Sequence, residues 1–328
     1  MLMPLNSIMV RSVIVDAGVL RGGDYDVNID KRFEWLIVDD GATDNTDRIV
    51  EDLALSTDGF NIRYFKQEHC GKPSAQNWAL DLAKGELFKT CDSNKYFDSH
   101  AVEYILSAAE KIVNNPKICG VGGYRADFSG KIYGGEMLAD NQMYIDCSHL
   151  ERAKYNLFGD KSTAFKTEIL RKYKSPIFQG EMFITEAVWL ISMAYDGYVI
   201  RWIPKVFCYG EYEKDGLTLQ GANSYRGHFE NFRGYLEFIR VLVKAKGIHA
   251  AEAEIIEAVD IAKRKAISIE DLSTHIGCKL IEVRGILLRN KVETFYYKLP
   301  LSRRGIRSCV GDKRTESLKA LLRKRKKN

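Results

Sequence analysis

Phe33-Glu34-Trp35-Leu36-Ile37-Val38-Asp39-Asp40-Gly41-Ala42-Thr43-Asp44-Asn45-Thr46 decides the fold. Glu34 to Val38 is a short apolar run of strand length. It stops at Asp39-Asp40-Gly41, a turn signal. Asp44 or Thr43 then caps a helix that carries Ile49, Val50 and Leu53 on one face. A buried strand thus delivers two carboxylates to its C-terminal edge, beside a helix N-terminus. A carboxylate there accepts hydrogen bonds from the imide of a uracil or the hydroxyls of a ribose. The plainer reading is that Asp39 and Asp40 only shape the turn.

Outward from this stretch the alternation continues. Ile62 to Phe65 reads as a strand, and Ser74 to Lys84 as a helix with Trp78 and Leu82 four residues apart. Glu86 to Cys91 is a third strand. Ser99 to Asn114 is an amphipathic helix with Val102, Ile105, Leu106 and Ala109 inward, and Ile118 to Val121 is a further strand. Strands separated by helices of this length predict an α/β fold with a mainly parallel sheet flanked by helices. Ligands of such sheets bind beyond the carboxyl ends of the strands. Residues 125–180 show no regular period. Ile184 to Ala194 reads as helix, Tyr198 to Tyr209 as one or two strands, and residues 229–297 as mostly helical. Trp189, Trp202, Phe183 and Phe207 read as core rather than as a sugar platform. Gly120-Val121-Gly122-Gly123 lacks the spacing of a dinucleotide fingerprint.

Composition sets the outer bounds. The 328 residues are 45% hydrophobic and 28% charged, which excludes a largely disordered chain. No apolar run reaches the roughly 18 residues of a membrane span. Met1 to Asn6 lacks the flank and core of a signal peptide. The cysteines, seven in number, include no C-x-x-C pair, so a reducing cytoplasm is expected and a disulfide framework is not. The formal charge of +5 is uneven. Residues 298–328 hold twelve Lys or Arg against two acids, a net of +10, so residues 1–297 carry −5. Such a basic tail suits an anionic membrane surface. Nucleic acid is not an expected partner, because the basic residues lack interleaved aromatics.

Two more segments bear on chemistry. Gly71-Lys72-Pro73-Ser74-Ala75-Gln76-Asn77 opens the second helix, where a lysine meets phosphate or a base carbonyl. Ala83-Lys84-Gly85-Glu86 leads a strand into Asp92-Ser93-Asn94-Lys95. The three segments in this order resemble the family 2 glycosyltransferases, inverting enzymes of the GT-A fold. The resemblance is dense from Phe33 to about Ile112 and looser from Gly159 to Thr218. Its acceptor side is similar to bacterial capsule and surface-polysaccharide transferases, through Phe158-Gly159-Asp160, Phe165 to Leu170 and Gly210 to Thr218.

The resemblance implies a mixed, mainly parallel GT-A sheet with a C-terminal helical extension. It implies a domain over residues 1–228, with a donor half to about 124 and an acceptor half from about 125. A helical extension over 229–297 and the basic tail over 298–328 follow. It implies a nucleotide-sugar donor, of UDP type, and a divalent metal, Mg2+ or Mn2+. Asp39 and particularly Asp40 hold the nucleoside, Lys72 and Asp92 hold the donor, and Asp92 with Asn94 holds the metal. The family's base is an acid at the start of a helix beyond the sheet. Glu186 is the first candidate, because Ala187-Val188-Trp189-Leu190 matches the pattern after that base, and Glu181 is the second. The acceptor is lipid-linked or an oligosaccharide, and the enzyme is cytoplasmic, at the inner face of the plasma membrane when peripheral. Three positions depart from the family. The N-terminal stretch Ser7 to Gly18 leads into Gly22-Gly23-Asp24-Tyr25-Asp26, poor helix material. Asn94 and Lys95 stand where acids are usual, and a point-charge lysine there contacts phosphate. Glu stands where the base is usually Asp. The alternative reading is therefore a catalytically impaired homologue that acts as a binding or scaffolding subunit.

Overall fold

Glu34–Asp39 forms strand β1, with Leu36, Ile37 and Val38 fully buried. This computed structural model describes residues 32–56, 61–92, 95–139, 142–211 and 224–290. The stretches Ser7 to Gly18 and Gly22 to Asp26, the residue Asn94, Tyr212 to Thr218 and the tail 298–328 lie outside the described residues.

Helix α1, Thr46–Ser56, follows β1. The Asp44 carboxylate accepts from the Thr46 N–H at 3.0 Å and from its hydroxyl at 2.5 Å, which closes the first turn. Strand β2, Asn61–Lys66, runs parallel to β1, with Ile37 opposite Tyr64 and Asp39 opposite Lys66. Next come α2 (Lys72–Leu82), β3 (Leu87–Phe88), β4 (Tyr96–Phe97), α3 (Ala101–Glu110) and β5 (Ile118–Ala126). Then β6 (Ile145–Cys147), β7 (Lys161–Lys166), α4 (Thr167–Leu170), α5 (Ala187–Tyr195), β8 (Val199–Tyr209) and α6 (Tyr225–Glu230) complete this part of the chain.

β1 and β2 form one sheet, and the order β3-β7-β5-β8-β4 forms another, with β6 also paired to β8. β5 and β8 are parallel, and every antiparallel pair involves β7 or β8. The α/β fold is mixed, as expected. Its antiparallel share enters through β7, in the region without a sequence period, and through the eleven-residue β8.

All nine residues of β5 are buried. A Cβ at Gly122 would lie 2.4 Å from the Trp202 ring, so no larger residue fits there. The glycine-rich run is thus a packing device in the central strand. Trp189, Trp202 and Phe207 are buried, as the core reading expected.

The chain divides into two compact units, Met1–Gly234 and Tyr235–Asn328. The second is helical where described. It holds most of α7 (Phe232–Lys246), then α8 (Glu252–Arg264), α9 (Ile269–His275) and α10 (Leu280–Arg289). Ile255, Ile261, Leu272, Val283 and Ile286 are buried between these helices. Among the described residues no helix is long and apolar enough to cross a membrane.

Glu252 ties the start of α8 to the end of α10, accepting from Arg289 at 2.6 Å and from Asn290 at 3.3 Å. Its hydrogen bond with His249, reinforced by Arg289 and Asn290, brings its carboxyl down to about 2 from an ordinary 4.5. A lowered folded value contributes stability that is present above the ordinary value and lost as pH falls through the folded one. Glu252→Gln should therefore lower the thermal midpoint of the helical unit near neutral pH. The gap from wild type should close as pH drops toward about 2, read by circular dichroism melts across that range.

Candidate active site

The carboxylates at the tip of β1 face the protein. Asp39 is 3% exposed and Asp40 is 4% exposed. Asp39 accepts from the Ala42 N–H at 2.6 Å and from the Tyr64 hydroxyl at 2.5 Å. Lys66 stands 3.7 Å from the same carboxylate and donates to the Ala42 carbonyl at 2.8 Å. Burial, then the Asp39 hydrogen bond, pushes the Tyr64 hydroxyl well above its usual range, so it stays a donor. Asp40 accepts from Gln67 Nε2 at 2.6 Å and from the N–H groups of Cys70 and Gly71, each at 2.9 Å. His69 Nδ1 lies 2.8 Å from Oδ2, the oxygen that Gly71 also reaches. Both oxygens of each carboxylate are thus engaged by donors of the protein, and Asp40 acts by holding the loop of residues 67–71.

That loop delivers Lys72 to the first position of α2. Lys72 Nζ lies 2.8 Å from Asp92 Oδ1 and 3.7 Å from Glu186 Oε1. Lys95 Nζ pairs with Asp92 Oδ2. Lys72, Asp92 and Glu186, three residues singled out from sequence, therefore meet in one place. Burial disfavours the Lys72 ammonium, but Asp92 and Glu186 outweigh it and raise its pKa. Burial also disfavours the Asp92 carboxylate, yet Lys72 and Lys95 hold its pKa far below the usual range. Lys72 and Asp92 are therefore both charged at neutral pH.

The two base candidates separate cleanly. Glu186 stands at the N-cap position of α5, is half exposed, and points to Lys72. Glu181 precedes that helix and braces another. It accepts from the Arg233 N–H at 2.9 Å, from Arg233 Nε at 3.2 Å and from the Gly234 N–H at 2.9 Å. Glu181 is thus tied to the start of α7, while Glu186 is beside the lysine.

The loop between them is seated from two sides. Asn231 Oδ1 accepts from the N–H groups of Met182 and Phe183, at 2.9 and 3.0 Å. From the other side Gly71 presses on Met182. A Cβ at Gly71 would stand 2.2 Å from the Met182 carbonyl oxygen, and Gly71 has φ +87°. Asp40, Gly71 and Met182 thus form one chain of contacts that leads to the helix bearing Glu186.

Among the described residues, no group of three or more His, Cys, Asp or Glu stands where it could hold a metal ion. Asn94 lies outside them. Asp92 offers one carboxylate, and each of its oxygens already faces an ammonium group. Hard divalent cations take several oxygen ligands, and among the described residues only Asp92 of the expected pair is present, with both oxygens facing lysines.

Sequence reasoning missed Tyr64, Asn231 and Arg233. Tyr64 had a usable signal, because parallel pairing of consecutive strands places the end of β2 beside Asp39. Asn231 and Arg233 lie about fifty residues beyond the loop they hold, with no period to connect them.

Residues 25–174 match the family model described as "Glycosyl transferase family 2". An "uncharacterized glycosyltransferase" of Rickettsia felis is 33% identical over 112 residues, which are 34% of this chain and only 16% of that relative. A "GalNAc(5)-diNAcBac-PP-undecaprenol beta-1,3-glucosyltransferase" of Campylobacter jejuni is 25% identical over 252 residues, 73% of this chain and 74% of that relative. Among solved structures, S. aureus TarS 1–349 superposes with TM-score 0.53 at 13% identity, covering 86% of this chain and 80% of that one. The same fragment in complex with UDP-GlcNAc gives TM-score 0.53 at 15% identity, covering 94% and 84%. The fold is GT-A, and the matches support a family 2 glycosyltransferase.

Gly71→Ala should destabilise the chain by about 2 kcal/mol or more, because it adds backbone strain to a collision with the Met182 carbonyl. Gly180 has φ +80° with open space around it, so Gly180→Ala carries only the strain, about 1 kcal/mol. Urea unfolding of the two variants measures the difference.

Proposed function

We propose that the chain transfers a sugar from a UDP-type nucleotide-sugar to an acceptor hydroxyl, with inversion at the anomeric carbon. One observation carries this reading: Lys72 stands between Asp92 and Glu186, joining a donor-side acid to a base candidate. The lysine at the start of α2 binds the donor diphosphate. Glu186 accepts the proton of the acceptor hydroxyl as its oxygen attacks. Asp39 and Asp40 are positioning residues, which act through the turn and through the loop that leads to Lys72. Glu181 positions the segment before α5.

A lipid-linked oligosaccharide is the acceptor class we favour, within surface-polysaccharide assembly at the inner face of the plasma membrane. The Campylobacter jejuni relative, named for an undecaprenol-linked substrate, supports that choice. TarS in complex with UDP-GlcNAc has the same fold, which is consistent with a UDP-sugar donor. A catalytically impaired subunit is not favoured, because the ionisable residues such a protein would be free to lose are gathered and paired.

The test is release of UDP from a panel of UDP-sugars in the presence of undecaprenyl-diphosphate-linked oligosaccharides. Glu186→Gln should lower kcat about a thousandfold while KM for the donor stays within about threefold. Glu181→Gln should mainly lower thermal stability. Full turnover by Glu186→Gln removes that residue from the mechanism, and absence of turnover with every donor removes the reading.

A further inference from the structure

We propose that Lys95 and Lys72 together take the place of a divalent cation, so that this chain binds and activates its donor without metal. The inference rests on the nucleotide-sugar reading above and concerns the same site. Asp92 holds the two ammonium groups side by side, one on each carboxylate oxygen. A divalent ion seated on Asp92 would have to displace both and then lie against them. A diphosphate meets the opposite situation: two donors of positive charge, already fixed in position.

The surroundings point the same way. Lys95 and Lys72 are 16% and 24% exposed, so bulk water screens them little. A third lysine, Lys89, is 3% exposed and donates to the Thr90 carbonyl at 3.0 Å, and burial pushes its pKa below the usual range. Lys72 and Lys95 are therefore the two ammonium groups that stand against Asp92 and Glu186. Preorganised positive groups of this kind stabilise charge that develops on a leaving group.

In the transfer step, the acceptor oxygen bonds to the anomeric carbon as the bond from that carbon to the diphosphate oxygen breaks. The electron pair of the broken bond stays on the diphosphate oxygen. The acceptor's proton passes to Glu186. Lys72 and Lys95 face the new charge as hydrogen-bond donors, and each acts as a point charge on phosphate.

Isothermal titration of the full chain with UDP, and with GDP as a second probe, decides the matter in EDTA and in Mn2+. Wild-type affinity should agree within about twofold between the two conditions. Lys95→Gln should weaken binding about tenfold or more, and Lys95→Arg should return it to within about threefold. Lys95→Asp should bind poorly in EDTA and regain affinity in Mn2+, because it rebuilds an acidic pair with Asp92. Circular dichroism checks that each variant is folded, and the EDTA comparison needs no variant. Wild-type binding that vanishes in EDTA and returns with Mn2+ overturns the proposal, as does wild-type affinity in Lys95→Gln. Absence of nucleotide binding in both conditions overturns the nucleotide-sugar reading and this inference with it.

Discussion

The carboxylate of Asp40 accepts from the backbone N–H groups of Cys70 and Gly71, and so fixes the two residues that precede Lys72. Buried carboxylates need such donors, because an unsatisfied charge away from water is costly. The requirement works in both directions. Asp40 needs the loop in order to be buried, and the loop takes its course from Asp40. Everything downstream inherits that course: the start of α2, the seat of Met182 against Gly71, and the entry into α5.

Electrostatics divides the molecule's acids by role. Asp39, Asp40 and Glu181 accept hydrogen bonds from backbone and side chains, and their geometry belongs to the scaffold. Asp92 and Glu186 face lysines instead, and both are open to solvent in part. The first group is satisfied from within. The second is paired with lysines where it is partly exposed.

Much of this was legible in the sequence, for a physical reason. Consecutive parallel strands with crossover helices bring their C-terminal tips to one edge, so a motif after β1 and another before α2 had to be neighbours. The match of Ala187 to Leu190 placed Glu186 at a helix start, and it stands there. What stayed hidden depends on distant backbone. The β3 strand keeps only two residues because its pairing with β7 is that short, and β7 carries no period of its own. Glu181 and Glu186 are two candidates for one role, and they part company because Glu181 lies in the preceding loop and is drawn to Arg233. That Asp40 would be saturated by residues 67–71 follows from loop geometry, on which periodicity is silent.

The contact of Gly122 with Trp202 carries a broader meaning. A middle strand whose glycines serve close approach supplies space rather than reactivity. Variation is thereby left to the segments at its borders. Such a body can vary its border residues while its interior stands still.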